Sequence, residues 1–183
     1  MAQARRRKKF FDVEMPMIGK KTQLQAYEIE DLNNRYIAYD LSRALRGKGL
    51  EIKFKVEVKE TKEDKGNVIT KPVQLRLMSY FLRRMIRKGT NYVEDSFSID
   101  CKDAKLTIKP FLITRKKVSR AVRKTLRNKA KEEITEYAKD KSYEEIFDDI
   151  IKNRMQRPLS MVLKKVYPLS LCEIRVIKVI KEI

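Results

Sequence analysis

Leu50, Ile52, Phe54, Val56 and Val58 alternate without a break with Glu51, Lys53, Lys55, Glu57 and Lys59. Successive strand side chains point to opposite faces, so this pattern predicts a β-strand with one buried face and one wet face. A helix would scatter the same apolar residues around its circumference. Further strands and a covering layer are then required to close a core over residues 50–58. About 42% apolar residues in a chain of 183 is enough to supply them.

The remaining elements follow from periodicity and punctuation. Residues 23–30 and 35–41 are strand-like, with Asp31, Asn33 and Asn34 as turn residues between them, which predicts a hairpin. The charged stretch 60–67 ends in Gly66-Asn67 and predicts a surface loop. Thr70 and Pro72 can open a helix carrying Leu75, Met78, Leu82, Met85 and Ile86 until Gly89 stops it. Val93, Phe97, Ile99 and Cys101 predict a strand, and residues 106–114 another, which Pro110 confines to an edge or a bulge.

From Val118 onward, Val122, Leu126, Ala130, Ile134 and Ala138 recur every four residues, the stripe of a long amphipathic helix. Ser142 and Glu145 form a capping box, predicting a helix from Tyr143 that buries Ile146, Phe147 and Ile150. Pro158 opens a short third helix, Tyr167-Pro168 breaks it, and β-branched residues over 171–180 predict a final strand. The sum is an α+β fold: an antiparallel β-sheet, barrel-like closure being allowed, with a packed central helix and a C-terminal helical segment closed by a final strand. A flexible basic arm over residues 1–11 is expected ahead of a single globular domain over 12–183, β-rich over 12–117 and mainly helical over 118–168.

Charge then narrows the function. Forty-four Lys and Arg face 25 Asp and Glu, a formal net charge of +19. A compact domain repels itself at that charge unless a polyanion neutralises it, and counterion release gives nucleic acid a large claim on it. Between Asp103 and Glu132 no acid occurs, while eleven Lys and Arg do. A merely solvated helix face mixes both signs through i,i+4 pairs, and this stretch has none to offer. Lys116, Arg120, Arg123, Lys124 and Arg127 fall together at helical spacing as a ladder suited to a phosphate backbone. The arm, with Arg5, Arg6, Arg7, Lys8 and Lys9, is a second candidate contact. Beyond the ladder the sign reverses through Glu132, Glu133, Glu136, Asp140, Glu144, Glu145, Asp148 and Asp149, which can hold register or dock a basic neighbour.

Catalysis has little to work with. There is no histidine, hence no Ser-His or Cys-His pair and no common zinc ligand. Cys101 and Cys172 form no paired motif and fit as small buried hydrophobes. Asp148 and Asp149 are neighbours in sequence but point to different sides of a helix, so they do not converge on a metal. Gly19-Lys20-Lys21-Thr22 lacks the upstream glycine of a phosphate-binding loop. Tyr36, Tyr39, Tyr80, Tyr92 and Phe97 do not make a base-stacking strand signature and are mostly expected in the core. No catalytic residue, cofactor or metal is expected. No run of about eighteen apolar residues occurs and the first residues lack a signal-peptide pattern, which predicts a cytosolic address with no membrane partner.

Several blocks, in order, resemble a known family: Lys8-Lys9-Phe10-Phe11-Asp12-Val13, Pro16, Ile18-Gly19-Lys20, Thr114-Arg115-Lys116-Lys117, Tyr167-Pro168-Leu169, Ile174-Arg175-Val176 and Lys178-Val179. Together they are similar to the S-three-A-e family, the first of the e-series of small-subunit ribosomal proteins. Phe10 stands where that family usually has Trp, Lys21 is extra, and the chain ends soon after its last strand, as the shorter archaeal members do. The resemblance implies a non-catalytic, cytoplasmic component of the small ribosomal subunit. It would lie on the platform, contact ribosomal RNA near its 3′ end, and have neighbouring platform proteins and messenger RNA as further partners. Lys20, Lys21, Arg115 and Lys117 join the arm and the ladder, which already holds Lys116, as RNA-binding candidates. An archaeal chromatin or general DNA-binding protein is the alternative that charge alone allows, though no groove-reading motif is present. An RNA-processing enzyme is a third, and it predicts metal-dependent cleavage.

Overall fold

The computed structural model describes residues 7–43, 45, 47–59 and 67–182. The chain divides into two compact units, one of residues 1–39 and 53–73, the other of residues 40–52 and 74–183. Fold class is α+β, with nine strands and four α-helices among the described residues. The expected surface loop at 60–67 lies, but for its last residue, outside the described residues.

In the first unit, β1 (Lys9–Met15) and β2 (Lys20–Ala26) pair antiparallel from Lys9↔Ala26 to Met15↔Lys20. Pro16 and Gly19 make the turn between them, with Gly19 at φ 66 and its N–H donating to the Met15 carbonyl at 3.0 Å. Glycine suits that left-handed backbone because it has no Cβ to clash. A 3-10 turn at Glu30–Leu32 then leads to β3 (Tyr36–Asp40). β4 (Leu50–Lys59) and β5 (Asn67–Leu77) each contribute residues to both units. β1 lies parallel to β5 at Val13↔Val68. Val13, Ala26, Leu32, Val56 and Val68 form this unit's buried cluster, with Phe11, Leu24, Ile37 and Val58 packed on it. The alternation of residues 50–58 is realised, its even-numbered residues from Leu50 to Val56 being buried.

Three expectations change here. Residues 23–30 and 35–41 are not a hairpin: Asn33 and Asn34 do reverse the chain, Asn34 at φ 63, but β2 pairs with β1 and β3 with β4. Turn chemistry is local, whereas the partner is chosen by which apolar face must be covered. Barrel-like closure also fails, since the ladders run β2-β1-β5-β4-β3 and stop. Among the described residues two side-chain bonds link β2 with β3 and the residue before it: Arg35 Nη1 donates to the Gln25 carbonyl at 3.0 Å, and Lys20 Nζ to the Tyr39 hydroxyl at 2.5 Å. Residues 9–11, expected in the arm, are the first residues of β1, and Arg5 and Arg6 lie outside the described residues.

In the second unit β8 (Ala104–Thr114) is central, paired antiparallel with β9 (Leu169–Glu182) on one side and with β6 (Tyr92–Glu94) and β7 (Phe97–Asp100) on the other. Pro110 sits at a register shift of the β8–β9 ladder, so the bulge is the form taken and the edge is not. The expected helix over residues 70–88 is α1 (Ser79–Met85) alone. Residues 67–77 belong to β5, with Val68, Thr70, Leu75 and Leu77 buried and Gln74–Arg76 paired to β9. Of the residues whose three- and four-residue spacing suggested a helix, Leu82 and Met85 lie in α1 but Leu75 lies in β5, where tertiary pairing with β9 decided for the strand.

α2 (Arg120–Lys139) packs on β6 and β7 through Leu126, Ala130, Ile134 and Ala138. α3 (Tyr143–Ile151) carries the reciprocal Ser142/Glu145 capping box and buries Ile146, Phe147 and Ile150. α4 (Gln156–Lys164) packs on α2 and β9, with Pro158 in its first turn, where the missing N–H is harmless. No helix among the described residues is long and apolar enough to cross a membrane.

Candidate nucleic-acid interface

The site begins at the junction of β8 and α2. Thr114 is fully buried; its hydroxyl faces the Asn91 carbonyl at 3.0 Å and the Lys116 carbonyl at 2.7 Å. Asn91 Oδ1 accepts from the Val118 N–H at 2.8 Å. Arg115, Lys116 and Lys117 are therefore exposed on a linker whose backbone is tied down from inside. Lys116 is not on the helix: Ser119 is extended at ψ 163 and caps α2 by accepting from the Val122 N–H. The helical ladder starts at Arg120.

Arg120, Arg123, Lys124 and Arg127 line one concavity of about 410 Å³ with Tyr92, Val93 and Glu94 of β6. Arg123 is half-buried, and its Nε is fully enclosed without a hydrogen-bond partner among the described residues. Glu94, the one acid at the rim, is already held: both of its oxygens accept from Arg175 Nη1 at 2.9 Å. The Tyr92 ring stacks on Phe111 with centroids 6.0 Å apart and is still half exposed. Tyr36 and Tyr80 are also exposed, so of the five aromatics expected mostly in the core Phe97 alone is buried.

Position along the helix adds to the field. The first turn of α2 holds no acid, and its N-terminal half is basic while Glu132, Glu133 and Glu136 follow in its C-terminal half. Peptide dipoles put partial positive charge at a helix N-terminus, so this distribution is the reverse of what a free helix favours. Four cations at the positive end of a 20-residue helix make an anion site at a cost in intrinsic stability. Length and order of the basic run pointed to the helix; the dipole alignment and Tyr92 needed the boundary at Ser119 and the β6–β8 pairing.

The other candidates are in the first unit. Arg7, Lys8 and Lys9 are exposed, with Lys8 Nζ 5.6 Å from the Tyr27 ring centre. Lys20 lies over the Tyr39 ring at 5.0 Å. Lys21 pairs with Glu14 across the β1–β2 ladder at 2.6 Å, and that hydrogen bond raises its pKa. Lys21 is thus partly neutralised already, whereas Arg120 and Lys124 form no ion pair among the described residues.

Part of the acidic half is used within the fold. Asp148 pairs with Lys152 at 2.7 Å. Asp149 is buried; burial would push its carboxyl up, but hydrogen bonds from Lys141 at 2.5 Å and Tyr137 at 2.8 Å hold it below the usual carboxylate range. The two acids do diverge, and no group of three or more metal-ligating side chains occurs among the described residues. Burial pushes the Cys172 thiol up to about 12, and Cys101 Sγ donates to the Ala104 carbonyl, so neither is a poised nucleophile.

Comparison with known proteins identifies the family. A relative from Methanothermobacter thermautotrophicus is 31% identical over 103 residues, 56% of this chain and 53% of its own length. One from Nanoarchaeum equitans is 25% identical over 167 residues, covering 89% and 84%, and one from Saccharolobus islandicus is 24% identical over 181 residues, covering 95% and 85%. Each is named small ribosomal subunit protein eS1. Residues 2–183 match the family described as the Ribosomal S3Ae family, a span that takes in both compact units and the basic helix alike, and the chain belongs to that family.

Proposed function

We propose that this protein is a structural, non-catalytic constituent of the small ribosomal subunit in the cytoplasm, binding ribosomal RNA through the cations of α2 and the basic residues ahead of β1. The observation that carries it is the gathering of Arg120, Arg123, Lys124 and Arg127 around one concavity at the positive end of α2, with no free acid among them. Arg115, Lys116 and Lys117, held out on a clamped linker, extend the same surface. Kinship with proteins named small ribosomal subunit protein eS1 supports the assignment. The RNA would be the region near the 3′ end on the platform, with platform proteins as neighbours and messenger RNA within reach.

The test is RNA binding as a function of salt. Replacing Arg120, Arg123 and Arg127 together by Ala should lower affinity for small-subunit RNA and flatten the log K against log salt slope by about 2 on single-stranded segments, at ~0.7 per lost phosphate contact. An unchanged slope would remove α2 from the interface. Stronger retention by duplex DNA than by structured RNA would instead favour a general DNA-binding role.

A further inference from the structure

We propose that the concavity between β6 and α2 takes an unpaired nucleotide of RNA, with its base on Tyr92 and its phosphate among Arg120, Arg123, Lys124 and Arg127. This rests on the RNA-binding reading and goes beyond it, because a duplex backbone tracked by a basic helix would need neither a recess nor an aromatic ring. Three observations call for both. The recess, about 410 Å³, is within the ~300–1,000 Å³ range of small-molecule sites. Tyr92 is half exposed, and stacking on Phe111 holds the ring in place, so presenting it to a base costs little further ordering. Arg123 lines the recess half-buried, and its Nε is enclosed without a hydrogen-bond partner among the described residues.

Polarity orients the nucleotide. Four cations on the α2 side attract phosphate, while the Glu94 carboxylate on the β6 side repels it and can accept from a base amino group. Glu94 keeps that position because Arg175 holds both of its oxygens. Base stacking on an exposed tyrosine is how single-stranded RNA is commonly distinguished from A-form duplex, whose major groove excludes side chains.

The experiment uses the full chain and two RNA hairpins of equal length and charge, one fully paired and one with a single-nucleotide bulge carrying 2-aminopurine. Wild type should bind the bulged hairpin on the order of tenfold tighter and quench the 2-aminopurine. Tyr92→Phe should keep both effects, whereas Tyr92→Leu should lose the preference and the quenching. Equal affinity for the two hairpins in wild type, without quenching, would overturn the proposal; if the Arg120, Arg123 and Arg127 triple variant then still weakens both, the RNA-binding reading stands alone. If the triple variant changes neither, both readings fall. Quenching in wild type and Tyr92→Phe is independent of whether Tyr92→Leu folds.

Discussion

Lys48 is the most informative place to disturb the fold. Its ammonium donates to Glu173 Oε2 at 2.7 Å and Asn153 Oδ1 at 2.6 Å, and both ends of the ion pair are nearly enclosed, at 13% and 14% side-chain exposure. Lys48→Met would leave the Glu173 carboxylate with the Gln156 amide at 3.3 Å as its one remaining hydrogen-bond donor among the described residues, and Asn153 Oδ1 without this donor. Removing one partner of a buried pair costs ~3–5 kcal/mol, and the residual exposure places this case near 3 kcal/mol. For a chain of this length that is a fall in Tm of about 6–12 °C. Lys48→Met with Glu173→Met should cost much less than either substitution alone, since no charge is then stranded. Urea unfolding followed by far-UV circular dichroism, with the four chains of the double-mutant cycle compared at constant m, measures it. A loss below about 1 kcal/mol for Lys48→Met, or a double variant that simply sums the singles, would refute the reasoning. The pair matters to the interface because Glu173 is the β9 partner of Phe111, the ring on which Tyr92 rests.

Asn91→Ala should release the Val118 N–H and loosen residues 115–118, seen as faster amide exchange there and as weaker RNA binding with α2 intact. Asp149 has its carboxyl held below the usual range, so the unfolded chain binds the extra proton and its contribution to stability is lost as pH falls below about 4. In Lys141→Met burial should dominate, raising the Asp149 pKa and reversing that slope, which a carboxyl titration by NMR would report. Added salt should raise the Tm of the free protein by screening the cations at the start of α2, and the Arg120, Arg123 and Arg127 triple variant should gain less. Gly49→Ala would bring a Cβ to 2.6 Å from the Tyr80 hydroxyl, forcing that ring away from Ser42 at a cost of about 1 kcal/mol, and it should cost little more in a Tyr80→Ala background.

What the amino-acid sequence determined by itself was whatever neighbours in the chain decide. The alternation of residues 50–58 sets one face for burial whichever strands pair with it, the Ser142/Glu145 box caps a helix through its own backbone, and the acid-free run before Glu132 is basic in any conformation. Tertiary structure decided the rest. Residues 67–77 became strand because β9 supplies ladder bonds that a helical reading of Leu75, Met78 and Leu82 had not considered. β3 went to β4 and not to β2, and the edges of that sheet stayed unjoined, because pairing is set by which apolar faces must be covered across long stretches of chain. The interface shows the same division: its cations are adjacent on α2, but Tyr92, Glu94 and Arg175 come from β6 and β9, and only their pairing with β8 brings a ring and a held carboxylate to the cations, since side-chain proximity between distant residues is a property of packing and not of the chain.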